Sequence, residues 1–155
     1  MDRIDESILR HLQNDGRLSN KVLAAKVGLA PSSCLERVRR LQSKGVIQGY
    51  GTRVNPADLG IGLQAFVSVQ LTQHSRRAVD AFREHLQTLP EVVAIYHVAG
   101  QSDFLVHVAV RDAEHLRNLT LDGFTTRSEV SRLNTALVYQ HIESKVWPNY
   151  AVDED

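Results

Sequence analysis

Apolar residues at helical spacing run through the first 44 positions and predict three short helices. The first covers residues 5–12. The second lies between Ser19, a favourable N-cap residue, and Gly28, a favourable C-terminal stop. The third begins near Pro31 and ends before Gly45. Two short helices joined by a three-residue turn, after a first stabilising helix, predict a helix-turn-helix.

The third predicted helix has two faces of different character. Cys34, Val38 and Leu41 form an apolar seam, whereas Arg37 and Arg40 fall on the opposite side. An Arg-rich outer face suits the major groove of DNA, because Arg can reach guanine edges or phosphates there. A solvated basic face without a DNA role is the alternative. The residues that we expect to contact DNA are Ser32, Ser33, Glu36, Arg37, Arg39, Arg40 and Lys44.

From residue 63 onward the pattern changes to alternation, which is typical of half-buried strands. Positions 63, 65, 67, 69 and 71 are all apolar. A strand, a helix and a strand follow one another, and the same order then recurs. The predicted elements are strands at 63–71, 92–98, 104–110 and 130–139, and helices at 75–88 and 112–124. Two such βαβ units predict an α+β ferredoxin-like βαββαβ body, with both helices on one face of one antiparallel sheet.

Two further segments have weaker strand signals. Residues 46–48 could add a short strand after the third helix, which would make the N-terminal domain winged-helix-like. Residues 142–146 could add an edge strand to the body, with Trp147 as its anchor.

The face of the predicted sheet that the helices leave open needs a cover. It carries Phe66, His107 and other mixed residues, and a large exposed apolar patch usually marks an interaction site. A second copy of the chain is the natural partner, since a homodimer supplies the two-fold symmetry of a palindromic DNA site.

The net charge of zero conceals a division of charge along the chain. Residues 1–55 carry ten Lys or Arg and five Asp or Glu, a net charge of +5, whereas the remainder carries −5. A basic N-terminal part on an acidic remainder fits a DNA-binding domain on a separate body. We therefore predict a helix-turn-helix domain at 1–50, a hinge at 51–62, a body at 63–147 and an acidic tail at 148–155.

Several motifs resemble those of the leucine-responsive regulatory protein/AsnC (feast/famine) family of prokaryotic transcription regulators. The most specific is Cys34-Leu-Glu-Arg-Val-Arg-Arg-Leu41, followed by Gly45-Val-Ile-Gln-Gly-Tyr50. The body adds Leu89-Pro-Glu-Val92 and Gly100-x-x-Asp103-Phe104, which corresponds to the family's Gly-x-x-Asp-aromatic turn. The chain departs from the family at Ala30, where Ser is usual, and at 127–130, where Arg-Ser-Glu-Val replaces a second Leu-Pro-Gly-Val turn.

The resemblance implies a transcription regulator that dimerises through its body and often builds tetramers or octamers. It also implies a small effector, usually an amino acid, bound in clefts between body domains. The matching cleft residues are Gly100, Gln101, Ser102, Asp103, Phe104, Thr135, Ala136, Leu137 and Val138.

The turn at 100–103 has chemistry that suits an amino-acid zwitterion. Gly100 permits close backbone approach, Asp103 could accept hydrogen bonds from an ammonium group, and free backbone N–H groups could hold a carboxylate. The alternative is that Asp103 merely caps the turn.

Other function classes find little support in the sequence. The seven His residues are dispersed without the spacing of metal ligands, and no nucleophile motif or phosphate-binding loop is present. We expect no cofactor, no metal and no enzymatic activity. One rival interpretation is a ferredoxin-like sensor or enzyme with an accessory N-terminal domain, and a second is an effector-binding or assembly protein without a DNA role. The N-terminus has no signal-peptide pattern and no apolar run reaches about 18 residues, so we expect a protein of the prokaryotic cytosol without membrane contact.

Overall fold

A computed structural model describes residues 1–151. The last four residues of the acidic tail predicted at 148–155, which include Asp153 to Asp155, lie outside the described residues. The chain divides into two compact units. The head unit comprises Met1–Arg53 with the described part of the segment that begins at Ile142, and the body unit comprises Val54–His141. None of the helices within residues 1–151 combines the length and the apolar character that a membrane crossing requires.

The three predicted helices of the head unit are confirmed as α1 (Arg3–Asn14), α2 (Asn20–Val27) and α3 (Pro31–Ser43). Asp2 caps α1 in a reciprocal capping box with Asp5, and the Ser19 hydroxyl accepts a hydrogen bond from the N–H of Val22. Helix α3 has Pro31 at its first position and no side-chain cap, because Ala30 stands at its N-cap. The buried core of the unit consists of Ile8, Leu23, Ala24, Cys34 and Leu41.

The short strand predicted at 46–48 is not formed. Gly45 takes a left-handed conformation with φ of 71°, and the N–H groups of Val46 and Ile47 then donate to the carbonyl oxygen of Leu41. Ile47 packs against the core instead of extending into a strand. This segment therefore caps the C-terminal end of α3.

The body unit has the predicted ferredoxin-like topology. Its elements are β1 (Leu63–Leu71), α4 (Arg76–Leu86), β2 (Val92–His97), β3 (Phe104–Val110), α5 (Ala113–Asn118) and β4 (Val130–Leu137). The strands form one antiparallel sheet in the order β2-β3-β1-β4. Both helices cover the same face, since their buried residues join one core with the inward positions of β1 and β3.

The second helix of the body has about the predicted extent, but its hydrogen-bonding pattern changes along its length. A regular helix ends at Asn118, and a π-helical segment continues over Leu119–Thr125. Leu119 and Phe124 are both buried although they are five residues apart, and i→i+5 bonding brings positions with that spacing onto one side. Gly123 is buried between the side chains of Leu119 and Leu89, where an added Cβ would lie 3.2–3.3 Å from them.

The edge strand predicted at 142–146 is also not formed, and Trp147 does not anchor the sheet. The N–H of Trp147 donates to Gln13 Oε1 of α1 at 2.8 Å, and Arg53 pairs with Glu143 at 2.8 Å. The segment after His141 therefore belongs to the head unit.

Candidate DNA-binding face and effector cavity

The outer face of α3 presents polar side chains to solvent. Ser32, Ser33, Glu36, Arg39 and Lys44 are all exposed. Within residues 1–151, no carboxylate lies within 4.0 Å of the guanidinium of Arg39. Its five N–H donors are thus available to an anionic partner such as a phosphate.

Arg37 and Arg40 are instead held by the start of α1. Arg37 Nη1 lies 2.6 Å from Asp2 Oδ2 and 2.9 Å from Asp5 Oδ1, and Arg40 Nη2 lies 2.9 Å from Asp5 Oδ2. The side chain of Asp5 is only 5% exposed, and the two guanidinium groups supply hydrogen-bond donors to both of its oxygens. We call these four residues the α1–α3 charge network.

The electrostatics agree with this geometry. The hydrogen bond from Arg37 lowers the pKa of the Asp2 carboxyl, and the same contact raises the pKa of Arg37. The side chain of Arg37 is 24% exposed and that of Arg40 is 47% exposed. The structure therefore does not leave Arg37 free on the outer face, where its spacing alone had placed it, whereas Arg40 keeps Nε and Nη1 outside the network.

In the body unit, Asp103 is engaged within its own chain. It is 5% exposed, and its Oδ2 accepts a hydrogen bond from the N–H of Leu71 at 2.7 Å. Its Oδ1 lies 2.7 Å from Nδ1 of His74, a residue that the sequence did not single out. Its own N–H donates to the carbonyl oxygen of Val69. These contacts support the reading in which Asp103 fixes the turn to the end of β1.

A cavity of about 660 Å³ lies beside this turn. It is lined by Ser68, Gln70, Gln101, Ser102, Arg132, Leu133 and Asn134. We call it the turn cavity. Only Gln101 and Ser102 of the predicted effector residues line it. Phe104 is fully buried in the core, where its ring meets that of Phe82 edge-on at 5.3 Å.

The second predicted effector segment lies elsewhere along the sheet. The turn is hydrogen-bonded to β1 at Val69, through the N–H of Asp103. Val69 pairs with Leu133 of β4, whereas Ala65 pairs with Leu137. Thr135 thus lies opposite Val67 in the middle of β1, and only the residues after it approach the other end; four residues of strand separate Leu133 from Leu137 by about 13 Å. Within one chain the structure does not bring 135–138 to the turn; the part of β4 that it brings there is Arg132–Asn134.

The open face of the sheet is partly apolar. The rings of Phe66 and His107 stack with centroids 5.0 Å apart, and Nε2 of His107 lies 2.9 Å from Gln64 Oε1. Burial and the neighbouring His141 lower the pKa of His107, which favours its neutral form. Among residues 1–151, no group of three or more His, Cys, Asp or Glu side chains could hold a metal ion.

Comparison with known proteins agrees with both units. Residues 1–48 match the family model of a winged helix-turn-helix DNA-binding domain, and residues 64–148 match that of the Lrp/AsnC ligand binding domain. A winged helix-turn-helix joined to a ligand-binding domain defines a ligand-responsive transcriptional regulator. The chain belongs to the Lrp/AsnC family of transcriptional regulators, which are not enzymes.

Named relatives share most of the chain. The HTH-type transcriptional regulator AldR of Mycolicibacterium smegmatis is 44% identical over 142 residues, which cover 92% of this chain and 83% of that protein. The leucine-responsive regulatory protein of Escherichia coli is 37% identical over 143 residues, covering 92% and 87%. A transcriptional regulator of Neisseria meningitidis, solved as a complex with L-Met, superposes with a TM-score of 0.86 at 29% identity over 93% of each chain.

Proposed function

We propose that this regulator binds specific double-stranded DNA through the outer face of α3, as a homodimer or a larger even-numbered assembly. In this proposal, an amino acid bound at the turn cavity controls the binding of DNA. A DNA-binding regulator acts where the chromosome lies, so we propose the prokaryotic cytosol as its compartment. The observation that carries the proposal is the exposed polar face of α3 in a chain whose body matches a ligand-binding domain.

The polar residues of α3 differ in whether they are exposed or paired with α1. Ser32 and Ser33 lie at the start of the helix, the position that usually enters the major groove. Arg39 and Lys44 are exposed and suit phosphates, while Arg40 has nitrogens left over for a contact with DNA. Arg37 instead holds α3 against α1 through its ion pairs with Asp2 and Asp5.

The test of DNA binding begins with selection of a preferred duplex from a random library by the full chain. Fluorescence anisotropy then compares wild type with Arg39→Ala and with Arg117→Ala, a matched control on the exposed side of α5. We expect Arg39→Ala to weaken binding and to reduce the slope of log K against log salt by about one, because one phosphate contact is lost. Arg117→Ala should leave both unchanged. Selection that enriches no sequence would contradict the proposal.

The test of assembly uses the open face of the sheet. A second copy seated there would cover Phe66, Leu105 and Ala136, which the helices of the body leave outward. Light scattering should show at least a dimer for wild type and a smaller species for Phe66→Glu. The control Leu121→Glu changes an exposed apolar residue on the helical side and should keep the wild-type mass. A monomeric wild type at micromolar concentration would overturn the dimer.

A further inference from the structure

We propose that the turn cavity selects an amino acid with an acidic side chain, and that Arg132 is the residue that selects it. The inference rests on the proposed effector function and deepens it. It follows from the position of Arg132, from the charge of the cavity and from the hydrogen-bonding groups around it.

The register of the sheet places four polar residues together on the open face. Ser68 pairs with Asn134 and Gln70 pairs with Arg132, and residues two apart on a strand share a face. The four side chains therefore form a block beside Gln101 and Ser102 of the turn, and all of them line the same cavity.

Within one chain, the lining of the cavity has one positive charge and no negative one. Its lining includes Arg132 but no Asp or Glu. Within the described part of the chain, no carboxylate lies within 4.0 Å of the guanidinium of Arg132. Asp103, the acidic residue of the turn, is buried and engaged by Leu71 and His74. A net negative ligand is therefore favoured over a neutral one.

Among amino acids, this charge separates the acidic ones from the rest. Every neutral amino acid is a zwitterion with no net charge, whereas glutamate and aspartate carry one additional carboxylate. The planar guanidinium of Arg132 can donate two parallel hydrogen bonds to that carboxylate. Amide and hydroxyl groups of Gln70, Asn134 and Ser68 can satisfy the remaining donors and acceptors.

An aliphatic side chain fits the same lining poorly. It would displace water from the amides and the guanidinium without replacing those hydrogen bonds, and polar groups that lose their partners are costly. We therefore expect the order of affinity to be acidic, then amide, then aliphatic amino acids.

Titration calorimetry on the full chain tests this order with L-glutamate, L-aspartate, L-glutamine, L-leucine and L-methionine. We expect the better acidic ligand to bind at least about ten-fold more tightly than either aliphatic one, and to lose affinity as salt rises. Arg132→Gln keeps most of the side-chain length, removes the charge and should reduce acidic binding about ten-fold or more. Arg117→Gln, the matched removal of an exposed charge, should not.

Charge reversal provides a gain of function that simple damage to the fold cannot imitate. Arg132→Glu should lose glutamate and aspartate and gain L-lysine or L-arginine. Tighter binding of leucine or methionine by wild type, or unchanged selectivity in Arg132→Gln, would overturn the inference and leave the effector function standing. A wild-type chain that binds none of the amino acids would overturn both.

Discussion

The head unit and the body unit use arginine in opposite ways. In the head, Arg37 and Arg40 are bound by a nearly buried carboxylate, so much of their charge serves to hold α3 against α1. In the body, Arg132 is exposed at a cavity whose lining contains no acid. Arginine thus links two helices through ion pairs in the head unit, whereas in the body unit its hydrogen-bond donors are available to a ligand. Arginine-rich character alone does not identify a binding residue; the position of the nearest carboxylates does.

The strongest test of this difference removes the carboxylate that the two arginines of the head share. Asp5→Ala leaves Arg37 and Arg40 without their common partner, and we expect the free energy of unfolding to fall by roughly 1–3 kcal/mol. Urea unfolding followed by circular dichroism measures it. The control Glu36→Ala removes an exposed acid of α3 and should change stability by less than about 0.5 kcal/mol. Equal effects of the two substitutions would show that the network does not hold α3.

The body offers a matching test at Asp103, whose two oxygens have partners of different burial. Asp103→Ala removes the acceptor for the buried N–H of Leu71, which we expect to cost about 1–2 kcal/mol. His74→Ala removes the other partner, which is 71% exposed, and should cost well under 1 kcal/mol. Denaturant unfolding of both variants ranks the contacts. If His74→Ala were the more damaging, Asp103 would act mainly through the histidine and not as the cap of β1.

The smallest expected effect concerns pH and the open face of the sheet. The pKa of His107 lies below its ordinary value of 6.5 because burial disfavours the charged ring. Its contribution to stability is therefore complete above about pH 6.5 and is lost as pH falls through the lowered folded-state pKa. Unfolding free energies measured at successive pH values should fall more steeply below pH 6.5 in wild type than in His107→Gln. Parallel curves would mean that the histidine is not desolvated in the folded chain.

Local rules were enough to predict most of the fold. Capping residues, Pro31 and helical periodicity located α1, α2 and α3, and alternation located β1 and β3, because each signal lies within a few neighbouring residues. The contacts that the sequence did not predict join residues far apart in the chain. Arg37 meets Asp5 across 32 positions, and nothing in the periodicity of α3 reveals that contact.

The candidate effector site shows the same limit. Alternation predicted which residues of β1 face outward, but it does not set which residue of β4 lies opposite which residue of β1. That register decides that Arg132 and not Leu137 reaches the turn cavity. His74 follows β1 without any pattern of its own, so its contact with Asp103 became visible only in three dimensions.

The α1–α3 charge network also has a consequence for local opening of the head unit. The first turn of a helix ordinarily frays, and its amide hydrogens exchange with solvent early. Here the residues of that turn, Asp2 and Asp5, are fastened to a helix more than thirty positions away, and Asp2 also closes the capping box. Opening the beginning of α1 therefore requires breaking its ion pairs with α3, and the amide hydrogens of the first turn of α1 should exchange together with those of α3.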